Sequence, residues 1–165
     1  MVKCVEDNKY RFDTGLMGTK FLLGALSEYG RDDVVLKMML SQEYPSFGYM
    51  LRRGATTIWE TWEENTGSSK NHIAFTSADS WFFYGLAGIK PMGGYKEFEL
   101  RPYFADELEF VNSEIKTEYG IIALEWKREN GRINVKITVP FNTKAHINLN
   151  GKCFDIQKGV YEYYV

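Results

Sequence analysis

The residues able to do chemistry crowd into one stretch, GATTIWETWEENTGSSKNHIAF, from Gly54 to Phe75. It holds Trp59 and Trp62, the carboxylates Glu60, Glu63 and Glu64, and His72, set among Ser, Thr and Asn. Helical periodicity is weak and strand alternation absent, so the stretch reads as a polar loop. Loops on a rigid scaffold are where binding and catalytic groups concentrate. Trp59 and Trp62 offer flat apolar faces on which sugar rings can rest. Glu60, next to Trp59, is a carboxylate whose proton affinity its surroundings can tune. Asn71 and His72 can hydrogen-bond hydroxyls. The same residues also admit a packing reading: a buried indole, solvated carboxylates, and a histidine that is a structural hydrogen-bond partner. Glu63 and Glu64 read as solvated surface charges. His146 alternates with Ala145 and Ile147 and reads as surface.

Other chemistries lack their signatures. No phosphate-binding glycine loop, dinucleotide fingerprint, zinc-protease helix or nucleophile elbow occurs. Net charge is −2 and the pI about 5.8, which argues against duplex nucleic acid or an anionic membrane as partner. No apolar run approaches the roughly 20 residues of a membrane-spanning helix. Cys4 and Cys153 form no disulfide framework and have no metal-ligand spacing, so neither a metal nor a cofactor is expected. The first ten residues lack the apolar region of a signal peptide, which favours a cytoplasmic protein.

The flanking segments must position the loop. Thr19 is placed to cap a helix through Phe21, Leu22, Leu23, Ala25 and Leu26, with Gly30 at its C-terminal stop. A second helix runs from about Arg31 to Ser41, with Asp32 and Asp33 opposing its dipole and Val34, Val35, Met38 and Met39 as its apolar face. Pro45 can open a short third helix over residues 46–53. A fourth, over residues 77–86, is apolar nearly all round (Trp81, Phe82, Tyr84, Leu86) and should be buried. After the break at Pro91–Gly94 the pattern changes to period two: Phe98 and Leu100; Ile122, Leu124 and Trp126; Ile133 to Val139; Ala145, Ile147 and Leu149; Val160 to Tyr164. Asn130–Gly131 and Asn150–Gly151 are strong hairpin turns. The expected fold is therefore α+β. N-terminal helical hairpins over residues 1–92 precede an antiparallel β-sandwich of about six strands over residues 93–165.

These segments, in this order, resemble the C-terminal part of bacterial α-L-rhamnosidases, glycoside hydrolase family 78. The matching stretches are DTGLMGT (residues 13–19), FLLGALSEYGR, YPSFGYM (44–50), RGATTIWETW (53–62), NHIAF (71–75), SWFFYGLAGIKP, FELRP (98–102) and YGIIALEWKR. The resemblance implies the end of an (α/α)6 barrel followed by a small β-sandwich. It implies inverting hydrolysis of terminal α-L-rhamnosides, in which one carboxylic acid protonates the leaving oxygen and a carboxylate across the ring activates water. Onto this chain it carries Glu60 as the general base, His72 as a sugar-binding histidine and Trp59 as a wall of the pocket.

Three positions depart from the family pattern: Thr61 where Arg is frequent, Thr76 where Gly is frequent, and Lys70 where an apolar residue is common. The acidic, Arg- and Trp-rich motif that carries the family's general acid has no counterpart in residues 1–53. The expectation is thus a truncated rhamnosidase that holds the base, lacks the acid and is inactive alone. The alternative is a non-catalytic carbohydrate-binding or assembly module. Leu22, Leu23, Met38, Met39, Trp81, Phe82 and Phe83 call for burial on more sides than a few helices provide. Apolar surface left in water forfeits about 25 cal/mol per Å². Self-association, or a partner chain completing the barrel, is therefore expected.

Overall fold

A computed structural model describes residues 1–165 and shows two packing units, Met1–Trp81 and Phe82–Val165. The first contains helices α1 (Val2–Asp7), α2 (Leu16–Glu28), α3 (Asp32–Leu40), α4 (Phe47–Arg52) and α5 (Ile73–Thr76). No helix is long and apolar enough to cross a membrane.

The α2–α3 hairpin closes as its turn residues predict. Gly30, at φ +68°, donates to the Ser27 carbonyl while the Arg31 amide reaches back to Leu26. That double bond pattern satisfies the free carbonyls of a helix end. Leu23, Leu26, Val34, Val35 and Met38 are buried. The Asp32 carboxylate, also buried, accepts from the Trp81 indole N–H at 2.9 Å and so ties α3 to the end of the unit. Thr19 is not the cap of α2. Gly15 takes that place, and the Thr19 hydroxyl lies inside the first turn, 2.9 Å from that of Thr14. Pro45 precedes the cap of α4, which is Ser46; its Oγ accepts from the Tyr49 amide.

The helix expected over residues 77–86 is broken into a 3₁₀ turn (Ser77–Asp79) and a π turn (Phe82–Leu86). The Ser77 hydroxyl donates to the Ala74 carbonyl and that of Ser80 to Ser77, both at 2.8 Å. Such side-chain bonds compete with a regular helical ladder. Trp81 and Leu86 are buried, but Phe82, Phe83 and Tyr84 are exposed, contrary to the all-round burial expected.

The second unit has eight strands, β1 (Ile89–Pro91), β2 (Glu97–Leu100), β3 (Phe110–Thr117), β4 (Gly120–Glu129), β5 (Arg132–Val139), β6 (Lys144–Leu149), β7 (Lys152–Ile156) and β8 (Gly159–Tyr164). They form two four-stranded sheets, ordered β1-β2-β6-β7 and β3-β4-β5-β8. Phe98 and Leu100, Ile122 to Trp126, Ile133 to Val139 and Ala145 to Leu149 supply one apolar core from the alternate residues of both sheets. The Asn-Gly turns join β4 to β5 and β6 to β7, with both residues of each at positive φ. Pro91–Gly94 forms the turn of the β1–β2 hairpin, where the Met92 amide bonds to Glu97 at 2.9 Å. The sheets are not wholly antiparallel, because β2 pairs with β6 in parallel.

Two predictions follow from these contacts. A Cβ at Gly88 (φ +70°) would lie 1.9 Å from the Arg101 carbonyl oxygen, in a strand crossing that the Arg101 amide closes onto Gly88. Gly88→Ala should therefore lower unfolding free energy by about 3 kcal/mol or more, read by denaturant melts of the sheet signal. The second concerns acid. The Arg31 guanidinium, hydrogen-bonded at 2.9 and 3.0 Å, holds the Asp33 carboxyl below its ordinary value. The pair's stabilisation is then complete above the unfolded-state value of about 3.9 and disappears as pH falls through the lowered folded value. Thermal midpoints measured down this range should fall less for Asp33→Asn than for the wild type.

Candidate active site

Residues 53–72 contain no helix or strand, yet backbone contacts hold the two arms of the loop together. The His72 amide donates to Ile58 at 2.9 Å, and the Glu60 amide to Ser69 at 3.0 Å. The Thr57 hydroxyl donates to the Lys70 carbonyl. Residues 58–60 and 69–72 thus run side by side. The Ser69 amide also donates to Glu60 Oε2 at 2.9 Å, which orients the carboxylate.

That arrangement brings Glu60 and His72 together, with Glu60 Oε1 3.9 Å from His72 Nε2 and each side chain about one-third exposed (36% and 34%). His72 is also the N-cap of α5: its Nδ1 accepts from the Ala74 amide at 3.1 Å. A ring nitrogen that accepts carries no proton, so the neutral imidazole keeps its proton on Nε2, facing Glu60. One hydroxyl or water oxygen can contact both groups across this gap. A carboxylate acceptor beside an N–H donor is a fitting pair for a polar, hydroxyl-bearing ligand.

The two tryptophans differ. Trp59 is buried with Met50 and Phe75, and the Lys70 ammonium lies 3.8 Å from its ring centroid. Trp62 is a packing residue rather than the sugar platform its type suggested. It stacks on Phe12 with centroids 5.0 Å apart, meets Phe75 at 4.1 Å and Phe47 edge-on at 5.1 Å. Its indole N–H donates to the Thr14 carbonyl at 2.8 Å. Glu64 pairs with Arg53, whose guanidinium it raises further above its ordinary value, and Glu63 accepts from Tyr44 at 3.4 Å. His146 lies on the sheet surface between Asp155 (2.8 Å) and Glu97 (3.4 Å).

Two contributors were not legible beforehand. Ser69 acts through its backbone, which leaves no sequence signal. Lys70 stands out only as a departure from the family pattern, and its position over Trp59 gives that departure a structural role. Thr61 is likewise accommodated, its hydroxyl bonding to Glu63 and Thr66. No three His, Cys, Asp or Glu side chains are grouped to hold a metal ion.

The comparisons with known proteins agree with this fold. Residues 1–86 match the bacterial alpha-L-rhamnosidase 6 hairpin glycosidase domain, and residues 85–162 the bacterial alpha-L-rhamnosidase C-terminal domain. The chain belongs to the bacterial α-L-rhamnosidase family. It is 36% identical over 155 residues to an alpha-L-rhamnosidase of Alteromonas sp. (strain LOR), covering 88% of this chain and 17% of that protein. It is 33% identical to one of Formosa agariphila, covering 88% of this chain and 16% of that protein. Its structure is similar to that of the native α-L-rhamnosidase from Aspergillus terreus, with a TM-score of 0.92, 29% identity, and coverage of 99% of this chain and 21% of that one. It is also similar to the Streptomyces avermitilis enzyme solved with L-rhamnose (TM-score 0.91, 25% identity, 99% of this chain, 19% of that one). The chain therefore spans about a sixth of the length of these curated relatives and corresponds to the end of their helical domain plus the C-terminal domain.

The packing role of Trp62 is testable. Trp62→Ala should cost about 3 kcal/mol, as large-to-small changes among packed aromatics do, whereas Trp62→Phe should cost about 1 kcal/mol for the lost bond to Thr14. Denaturant unfolding of both variants measures the difference.

Proposed function

We propose that this chain supplies the base side of an α-L-rhamnosidase active site that inverts the configuration of terminal α-L-rhamnosides. The observation that carries the reading is the convergence of Glu60 and His72 at 3.9 Å on a closed, half-exposed loop. In this reading Glu60 is the general base. It takes a proton from the attacking water as the water's oxygen bonds the anomeric carbon on the face opposite the leaving group. Ser69 keeps one carboxylate oxygen occupied and leaves Oε1 for the water. His72 Nε2–H donates to a hydroxyl of the rhamnose, and Trp59 backs the pocket as a rigid wall.

The general acid lies in barrel segments outside these residues, so the chain is inactive by itself. An exposed apolar groove favours this reading over a free-standing module. It is lined by Leu16, Met17, Ile73 and Ala74 together with Lys20, Thr76 and Ser77, and begins one residue after His72. Met17 and Ile73 are 68% and 83% exposed, and nearby Phe21 63%. The remaining helical hairpins, in the same chain, a partner chain or a second copy, would cover it.

On an aryl α-L-rhamnoside, these residues alone should release no rhamnose. Supplied with the missing helical hairpins, they should. Glu60→Gln in that complete barrel should then lower kcat by roughly 10²–10⁴, the usual worth of one proton transfer. Release of rhamnose by the isolated chain at a rate indifferent to Glu60→Gln would place the chemistry elsewhere.

A further inference from the structure

The outward face of the β3-β4-β5-β8 sheet contains a cavity of about 330 Å³, within the usual range of small-molecule sites. Two cross-strand rows line it: Phe110, Lys127 and Asn134 in one, which continues to Tyr164 beyond the cavity, and Asn112, Glu125, Lys136 and Glu162 in the other. All alternate with the inward Ile, Val and Trp of the core, so the burial pattern that builds the sandwich also fixes this face.

Its charges largely cancel. Lys127 pairs with Glu129 at 3.0 Å and Lys136 with Glu125 at 3.5 Å, leaving Glu162 alone. The cavity therefore selects neither an anion nor a polycation. What remains are hydrogen-bonding groups that the protein does not use. The side chains of Asn112, Asn134 and Glu162 make no hydrogen bond within the chain, and Asn134 Oδ1 is buried without a donor. A buried acceptor left unpaired is costly, so turning this amide outward onto a ligand hydroxyl is favourable. Phe110 lines the cavity at 58% exposure, and Tyr164, next to Asn134 in the same row, is 65% exposed, although large exposed aromatics forfeit hydrophobic stabilisation.

Amides and a carboxylate that meet hydroxyls, beside flat rings that meet C–H faces, are suited to one ligand class. We propose that this face is a saccharide-binding site, separate from Glu60 and His72, that holds a neutral sugar chain. That the sugar contains rhamnose rests on the function proposed above, so the test does not assume it.

Amide NMR titration of the intact chain with L-rhamnose, rutinose and cellobiose should move the resonances of Asn112, Asn134 and Glu162, with a dissociation constant of about 1 mM for at least one of the three. Phe110→Ala and Asn134→Ala should each weaken that binding by about tenfold, the equivalent of one good contact, while melting as cooperatively as the wild type. Glu60→Gln should leave these shifts unchanged, so failure here reads separately from failure of the rhamnosidase assignment. Absence of shifts on this face with all three sugars at about 10 mM, or binding indifferent to both variants, would overturn the proposal.

Discussion

The insertion of Trp62 among Phe12, Phe47 and Phe75 is the contact on which the helical unit's geometry depends. Each partner comes from a different segment: the strap before α2, the start of α4 and the short α5. The pairs with Phe12 and Phe47, at 5.0 and 5.1 Å, lie in the range where aromatic contacts add stabilisation beyond their buried area. The indole N–H bond to Thr14 fixes the ring's depth as well. A loop with no regular secondary structure of its own thus acquires a rigid floor. The Glu60 carboxylate is two residues away from that floor and inherits its position.

The consequences reach both arms of the loop. With Trp62 seated, Ile58–Glu60 can pair with Ser69–His72, and His72 can cap α5 through Nδ1. Capping then decides the tautomer, and the tautomer decides that Nε2 presents a proton toward Glu60. The placement of Glu60 beside His72 is therefore linked to aromatic packing through four hydrogen bonds, two of them wholly backbone, and a cap. The Lys70 ammonium over Trp59 closes the other side of the same loop.

The sandwich is stabilised differently. Its core is a plain alternation of branched aliphatics around Trp126, and its turns are set by Asn-Gly pairs whose backbones favour positive φ. Arg128 adds a polar clamp onto residues 104–108, and the outer face is left to carry unpaired amides and exposed rings. The helical unit, by contrast, keeps Met17, Phe21 and Ile73 in solvent. Small units retain more apolar exposure than large ones.

What the sequence determined by itself was local or carried by a motif. Period-two runs and Asn-Gly turns located most strands, Gly30 located the end of α2, and the GATTIWE and NH stretches identified the family, because each signal lies within a few residues of what it governs. Strand β3 escaped notice, since Asn112, Ser113 and Glu114 interrupt its apolar pattern. The break in the helix after residue 76 depended on serine hydroxyls turning back to the backbone, which residue type alone leaves open. Only the tertiary structure decided that Trp62 packs while Glu60 and His72 converge, and that β2 lies parallel beside β6. The physical reason is distance along the chain. Phe12 and Trp62, or Glu60 and His72, meet only after the loop has closed, and no local preference encodes which residue will be waiting there.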